Sequence, residues 1–231
     1  MLTSNVHNAI NNENGNVLVI ILLAIALIGA LTAAISGSSN KNANIDDETL
    51  ILRVTEIQRY TSELESGIMF IMQNGLSESD IRFAHPNANS DYGDLSADTD
   101  KSDQLFHRDG GNATYKMAPD GINDGSSWEF YGNTALPEVG SDEADLIAVL
   151  PNVTSAFCDQ ANEMIGYSAQ PQDSSTCINT GASARFDNGT QFDSSPNTVV
   201  TAGFSIKPST RGCVECTSDG SLHYFHVLMA R

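Results

Sequence analysis

Residues 17–35 read VLVIILLAIALIGALTAAI, a run of 19 residues without a charged side chain. As an α-helix rising about 1.5 Å per residue, this run would be about 28 Å long, which matches the hydrocarbon core of a bilayer. It is apolar on every side, and a helix of that kind belongs in lipid or in a large protein core. The remainder of the chain is too polar to supply such a core, so the run predicts a membrane-spanning segment.

Charge is distributed unevenly around this segment. Residues 1–40 contain no Lys or Arg and a single acidic residue, Glu13, whereas the 231-residue chain has 11 Lys+Arg against 29 Asp+Glu, a net charge of −18. A chain this acidic repels phosphate backbones, so we expect no nucleic-acid partner. It also repels an anionic membrane surface, and membrane attachment therefore has to come from insertion of the apolar run.

A second helical pattern follows the apolar run. After a turn-prone stretch at residues 36–44, apolar side chains recur at steps of 3, 4 and 7 residues, which place them on one face of a helix. These side chains are Leu50, Val54, Ile57, Leu64, Ile68 and Ile71. Asp46 and Asp47 suit the start of this helix, and Gly75 suits its end. We expect residues 16–75 to form one long N-terminal helix, transmembrane in its first half and amphipathic in its second.

The polar leader ending in Gly15, the apolar helix and the amphipathic continuation together resemble type IV pilins and the pseudopilins of type II secretion. The resemblance covers about the first 75 residues. It implies a leader peptide at residues 1–15, which a prepilin peptidase removes by cutting between Gly15 and Asn16, where the new N-terminus is methylated. It also implies that the apolar segment holds the subunit in the bacterial inner membrane and then packs against other pilin-like subunits in a filament.

Two positions depart from the family pattern. The family usually has Phe first after the cleavage site and Glu at the fifth position, whereas this chain has Asn16 and Ile20 there. The leader also lacks the basic residues that orient a membrane segment. These departures favour a minor or divergent subunit over a major pilin.

Small side chains within the apolar run are the candidate helix-packing residues. They are Ala26, Gly29, Ala30 and Ala33. Small residues let helices approach closely in lipid, where the hydrophobic effect does not drive helix association. An ordinary lipid-facing helix has the same composition. The segment has two alternative interpretations. It is either a secretory signal peptide cleaved after Ala33 or Ala34, or a plain single-span anchor.

The rest of the chain predicts an exported α+β body. Residues 76–127 read as a polar, acidic loop region with apolar islands at 81–83 and 105–106. Within residues 128–231, four segments have strand character and one amphipathic helix lies between the second and third of them. The strand segments are residues 128–131, 145–150, 199–206 and 222–229, and the helix starts at Asn152 or Thr154 and ends at Gly166. The pattern predicts a mainly antiparallel sheet on which the amphipathic half of the long helix packs, as in pilins.

Four cysteines provide the strongest chemical signal. In an exported protein they predict two disulfides, and nearest-neighbour pairing favours Cys158–Cys177 with Cys213–Cys216, although pairing across the two clusters is also open. A zinc site would need further ligands, and His223 and His226 lie three residues apart on an expected strand. They therefore point to opposite faces of the sheet and do not reach one metal. We expect no resident metal here.

The acidic runs make calcium the one candidate cofactor. Asp98, Asp100, Ser102 and Asp109 match four positions of a calcium-binding loop, and residues 120–124 form a weaker candidate. A solvated loop has the same composition. The chain contains no GxSxG, HExxH, P-loop or GxGxxG motif, and we expect no enzyme activity.

Together these features predict a pilin-like structural subunit, a minor pilin or pseudopilin of a type IV pilus or type II secretion-like filament. The expected location is the bacterial inner membrane, with the C-terminal body in the periplasm and in an extracellular filament after assembly. The alternative is a single-span periplasmic or surface binding module that does not polymerise.

Overall fold

The computed structural model describes residues 19–28, 41–174, 176–187, 191–199 and 203–231. The chain divides into two units, Met1–Glu48 and Thr49–Arg231. Three α-helices lie in the described residues: α1 at 19–28, α2 at Lys41–Gln73 and α3 at Ser155–Ile165. All ten side chains of α1 are exposed.

The prediction of one long helix over residues 16–75 is wrong. In the described part of the chain, α1 and α2 are separate helices, and none of the helices there combines the length and the apolar character needed to cross a bilayer. Residues 36–40, which lie between them in the sequence, are all Ser, Gly or Asn, and these residues have poor helix propensity. The leader at residues 1–15 lies outside the described residues.

Six strands form one mixed sheet in the order β3-β5-β6-β2-β1-β4. The strands are β1 Glu129–Ala135, β2 Asp145–Leu150, β3 Gln172–Asp173, β4 Asn197–Thr198, β5 Arg211–Cys216 and β6 Leu222–Met229. The four central strands pair antiparallel, whereas the two-residue edge strands β3 and β4 pair parallel to β5 and β1. The fold is therefore α+β, but the expected mainly antiparallel sheet has parallel pairs at both edges.

The amphipathic part of α2 packs on one face of this sheet. Val54, Ile57, Leu64, Ile68 and Ile71 are all buried in one apolar cluster with side chains of the central strands, which confirms the predicted apolar face of the helix. Full burial of one such aliphatic side chain is worth about 1.5–3 kcal/mol. These five side chains therefore hold the helix firmly on the sheet.

Helix α3 lies on the same face and begins and ends where the sequence predicts. The Thr154 hydroxyl accepts a hydrogen bond from Phe157 N–H, and Gly166 ends the helix in the left-handed conformation at φ 96°. The ring of Phe157 meets that of Tyr224 on β6 at 5.9 Å between centroids. This contact fixes the helix over the centre of the sheet.

Asn162 of α3 completes the hydrogen bonding of β5 beyond the short edge strand. Its side-chain Oδ1 accepts from Cys213 N–H at 2.8 Å, and its Nδ2 donates to Cys213 C=O at 2.9 Å. One amide side chain thus takes the place of a neighbouring strand at a buried position. A buried backbone group without a partner costs about 1–3 kcal/mol, so Asn162 stabilises the edge of the sheet.

The loop region of residues 76–127 is attached to the body through its two apolar islands. Ile81, Phe83 and Leu105 are fully buried, as their sequence context predicts. The ring of Phe83 stacks on that of Phe130 at 4.1 Å between centroids. The acidic loop therefore shares the core of the body.

A buried ion pair joins β1 to two loops. Arg185 donates from Nε and Nη2 to the two carboxylate oxygens of Glu129, at 2.6 and 2.7 Å, and also bonds Asp91 in the acidic loop. The Tyr92 hydroxyl donates to the same Glu129 carboxylate at 3.0 Å. The Arg185 and Glu129 side chains are only 14% and 11% exposed, so water contributes little to solvating either charge.

One strand prediction is wrong. Residues 145–150 and 222–229 are β2 and β6 as expected, but the strand paired with β6 on its other side is β5, not residues 199–206. The segment Arg211–Cys216 contains two cysteines and a glycine, which gave it the character of a loop in the sequence. Its apolar neighbours in the sheet, and not its own propensity, make it a strand.

Candidate functional site

The residues expected to act in processing and assembly fall mostly outside the described part of the chain. This is so for Gly15 and Asn16 of the cleavage site and for Gly29, Ala30 and Ala33 of the packing set. Ala26 lies in α1 and is exposed. The large apolar side chains of α1 are exposed as well, each by 50–64% of its surface.

Both disulfides are present, but their pairing differs from the favoured one. Cys158 of α3 bonds Cys213 of β5, and Cys177 bonds Cys216 at the end of β5. Cys213 and Cys216 lie three residues apart on a strand, so their side chains project to opposite faces and do not meet. The alternative of pairing across the two clusters is therefore the correct one. The two bonds tie β5 to covering segments on opposite faces of the sheet.

The two histidines of β6 also lie on opposite faces, as expected. His226 faces α2, where its Nε2 is 3.3 Å from Glu65 Oε2. His223 lies on the other face, close to Cys177 and Cys216. Burial lowers the pKa of both histidines, that of His223 to about 4, while Glu65 acts in the opposite direction on His226.

The hydrogen bonds of His223 decide its tautomer. Asn152 N–H donates to Nδ1 at 3.3 Å, so Nδ1 carries a lone pair and the ring proton is on Nε2. Nε2 lies 2.8 Å from Ser221 Oγ, and the Ser221 hydroxyl donates to Asp219 Oδ1 at 2.6 Å. The Ser221–His223 pair superficially resembles a nucleophile and its base. In this tautomer, however, His223 donates to Ser221 and is not positioned to remove its proton.

Among the described residues, one group brings three potential metal-ligand side chains together, two of them joined in a disulfide. It consists of Cys177, Cys216 and His223, all buried, whose ligand atoms lie within 4.8 Å of one another. Sequence reasoning missed this group because it placed Cys177 with Cys158. The alternation of side chains along β5 and β6 puts Cys216 and His223 on one face, but the sequence did not identify β5 as a strand.

The carboxylates of the expected calcium loop are not part of such a group. Asp98 Oδ2 accepts from Gln104 Nε2 at 2.6 Å, and Asp100 Oδ1 accepts from Ser102 N–H at 3.0 Å. Asp109 lies beside His107, at 3.5 Å between Oδ2 and Nδ1. These acidic side chains organise their own turns.

Searches against protein-family models, curated proteins and solved structures found no match to this chain.

Proposed function

We propose that this chain is a pilin-like structural subunit, a minor pilin or pseudopilin of a bacterial type IV pilus or type II secretion-like filament, which assembles through its N-terminal apolar segment. The observation that carries the proposal is the apolar run of residues 17–35, whose described part, α1, exposes every side chain. Exposed apolar surface of this kind is typical of a segment that contacts a membrane or another protein. The inner membrane supplies that cover before assembly, and other pilin-like subunits supply it afterwards.

The body has properties that suit export. Its two disulfides belong in an oxidising compartment. It has its own buried core, in which α2 and α3 cover one face of the sheet.

The N-terminus of the mature protein tests the processing step. Membrane-extracted protein should begin at Asn16, with a methylated amino group, and a Gly15→Leu variant should retain its leader. Gly37→Leu is the matched control and should be processed normally. An intact Met1 in the native protein, or a start near Ser36, would contradict the proposal and favour the anchored binding module or a cleaved signal peptide.

Cross-linking tests assembly directly. The chain has no free cysteine, so an Ala26→Cys variant carries one reactive thiol in α1. Oxidation should give covalent dimers if apolar segments pack against each other, while Ser168→Cys on the exposed surface of the body is the control. Equal dimer yields from the two variants would show contact by collision only and would refute assembly through α1.

A further inference from the structure

Cys177, Cys216 and His223 bring three potential zinc ligands together, with the two sulfurs joined to each other in a disulfide. With Zn–S of about 2.3 Å and Zn–N of about 2.0 Å, tetrahedral geometry separates neighbouring ligand atoms by about 3.5–3.8 Å. The three ligand atoms already lie within 4.8 Å of one another. Opening the Cys177–Cys216 bond would free both sulfurs to separate toward this distance.

His223 is held in the form that a metal requires. It is neutral with a lone pair on Nδ1, and its Nε2–H is oriented by Ser221, which is in turn bonded to Asp219. Metal-binding histidines typically donate their second ring N–H to a hydroxyl, carbonyl or carboxylate group in this way.

The two disulfides differ in their access to an external thiol. Cys158 and Cys213 are both fully buried between α3 and the sheet, whereas Cys177 retains 6% exposure on the opposite face. This difference in exposure favours attack on the Cys177 sulfur over attack on the Cys158–Cys213 bond.

We propose that the Cys177–Cys216 disulfide is a redox-controlled zinc site, closed to metal when oxidised and binding one Zn²⁺ through Cys177, Cys216 and His223 when reduced. A thiolate of an external dithiol attacks Cys177, forms a mixed disulfide and releases Cys216 as a thiolate. The second thiol of the reductant then displaces Cys177 and closes the reductant's own disulfide, a transfer of two electrons and two protons. Zn²⁺ binding releases the two thiol protons and leaves both sulfurs as thiolates.

Zinc titration of the full chain in detergent tests the proposal. Mild reduction should open Cys177–Cys216 first, as mass spectrometry of alkylated cysteines would show, and the reduced protein should then bind one zinc in competition with a chromogenic chelator. Cobalt in place of zinc should give thiolate-to-metal absorption. The oxidised protein should give neither signal.

Variants separate this site from incidental zinc binding. Cys177→Ser/Cys216→Ser should abolish both signals, His223→Asn should weaken zinc binding and alter the cobalt spectrum, and Ser221→Ala should weaken it about 10-fold or more. His226→Asn, three positions away on the other face, is the matched control and should bind as the native protein does. The proposal is wrong if reduced protein binds no zinc, if His223→Asn binds as tightly as the native chain, or if Cys158–Cys213 opens first. Circular dichroism of each variant ensures that a loss of binding is not a loss of fold.

Discussion

Replacing Arg185 with Met should destabilise the body by about 3–4 kcal/mol. The substitution keeps the aliphatic volume but leaves the Glu129 carboxylate, 11% exposed, with only the Tyr92 hydroxyl as a side-chain partner. Breaking a buried ion pair by removing one partner costs about 3–5 kcal/mol. Asp91 is 46% exposed, so water replaces the partner it loses. Loss of the Arg185–Asp91 contact therefore adds less than about 1 kcal/mol to the destabilisation.

Trp128 is the natural probe for this measurement. It is the single tryptophan of the chain, it is fully buried, and it directly precedes Glu129. Urea unfolding with disulfides intact, followed by Trp128 fluorescence, should show a midpoint lowered by about 1–2 M for an m-value of about 2–3 kcal/mol/M.

A double-mutant cycle decides whether the ion pair is the cause. Removing both charges in Arg185→Met/Glu129→Gln should cost less than the sum of the single substitutions, because no uncompensated charge remains. Asp91→Asn is the control and should cost less than about 1 kcal/mol. A loss below about 1 kcal/mol for Arg185→Met, or strict additivity in the double variant, would refute the reasoning.

Three further predictions concern single side chains. Burial lowers the pKa of His223 from 6.5 to about 4, so the unfolded chain binds a proton that the folded chain does not. The free energy of unfolding should therefore fall by about 2.5 kcal/mol as pH falls from 7.5 to 4.5. Urea unfolding of His223→Gln should show a correspondingly smaller loss over the same pH change. Asn162→Leu should lower the free energy of unfolding by about 2–4 kcal/mol because both backbone groups of Cys213 lose their partner, and exposed Glu163→Leu on the same helix should change it little. Gly67→Ala should lower the melting temperature, because the added Cβ would lie 2.7 Å from Leu105 Cδ1 and 2.9 Å from Gly111 O. A melting temperature equal to that of the native chain would show that the loop carrying Leu105 and Gly111 can move aside.

Periodic patterns account for what the sequence predicted correctly in the fold. The steps of 3, 4 and 7 residues identified the buried face of α2, because apolar side chains at that spacing can be covered only on one side of a helix. The ends of α3 were also predictable from single residues. The Thr154 hydroxyl caps its first turn, and Gly166 ends it because glycine adopts the left-handed conformation without strain. Strand β2 is buried on both faces, which is why its residues 146–150 are continuously apolar.

Long-range contacts account for the errors. β5 has no strong strand propensity, and it forms because β6 pairs with it along five residues. Proximity in sequence favoured a Cys213–Cys216 bond, but once this segment is a strand its alternation forbids that bond. The same alternation places Cys216 beside His223, so the candidate metal group depended on an element that the sequence did not predict.

The position of β6 has a consequence for how the body matures. This strand follows the other five in the chain, yet it lies between β5 and β2 in the middle of the sheet. When the chain is synthesised from its N-terminus, β3-β5 and β2-β1-β4 are made before the strand that joins them, β6 at residues 222–229. Closure of the sheet is then a late, cooperative event, and the edges of β5 and β2 stay unpaired until the final strand arrives.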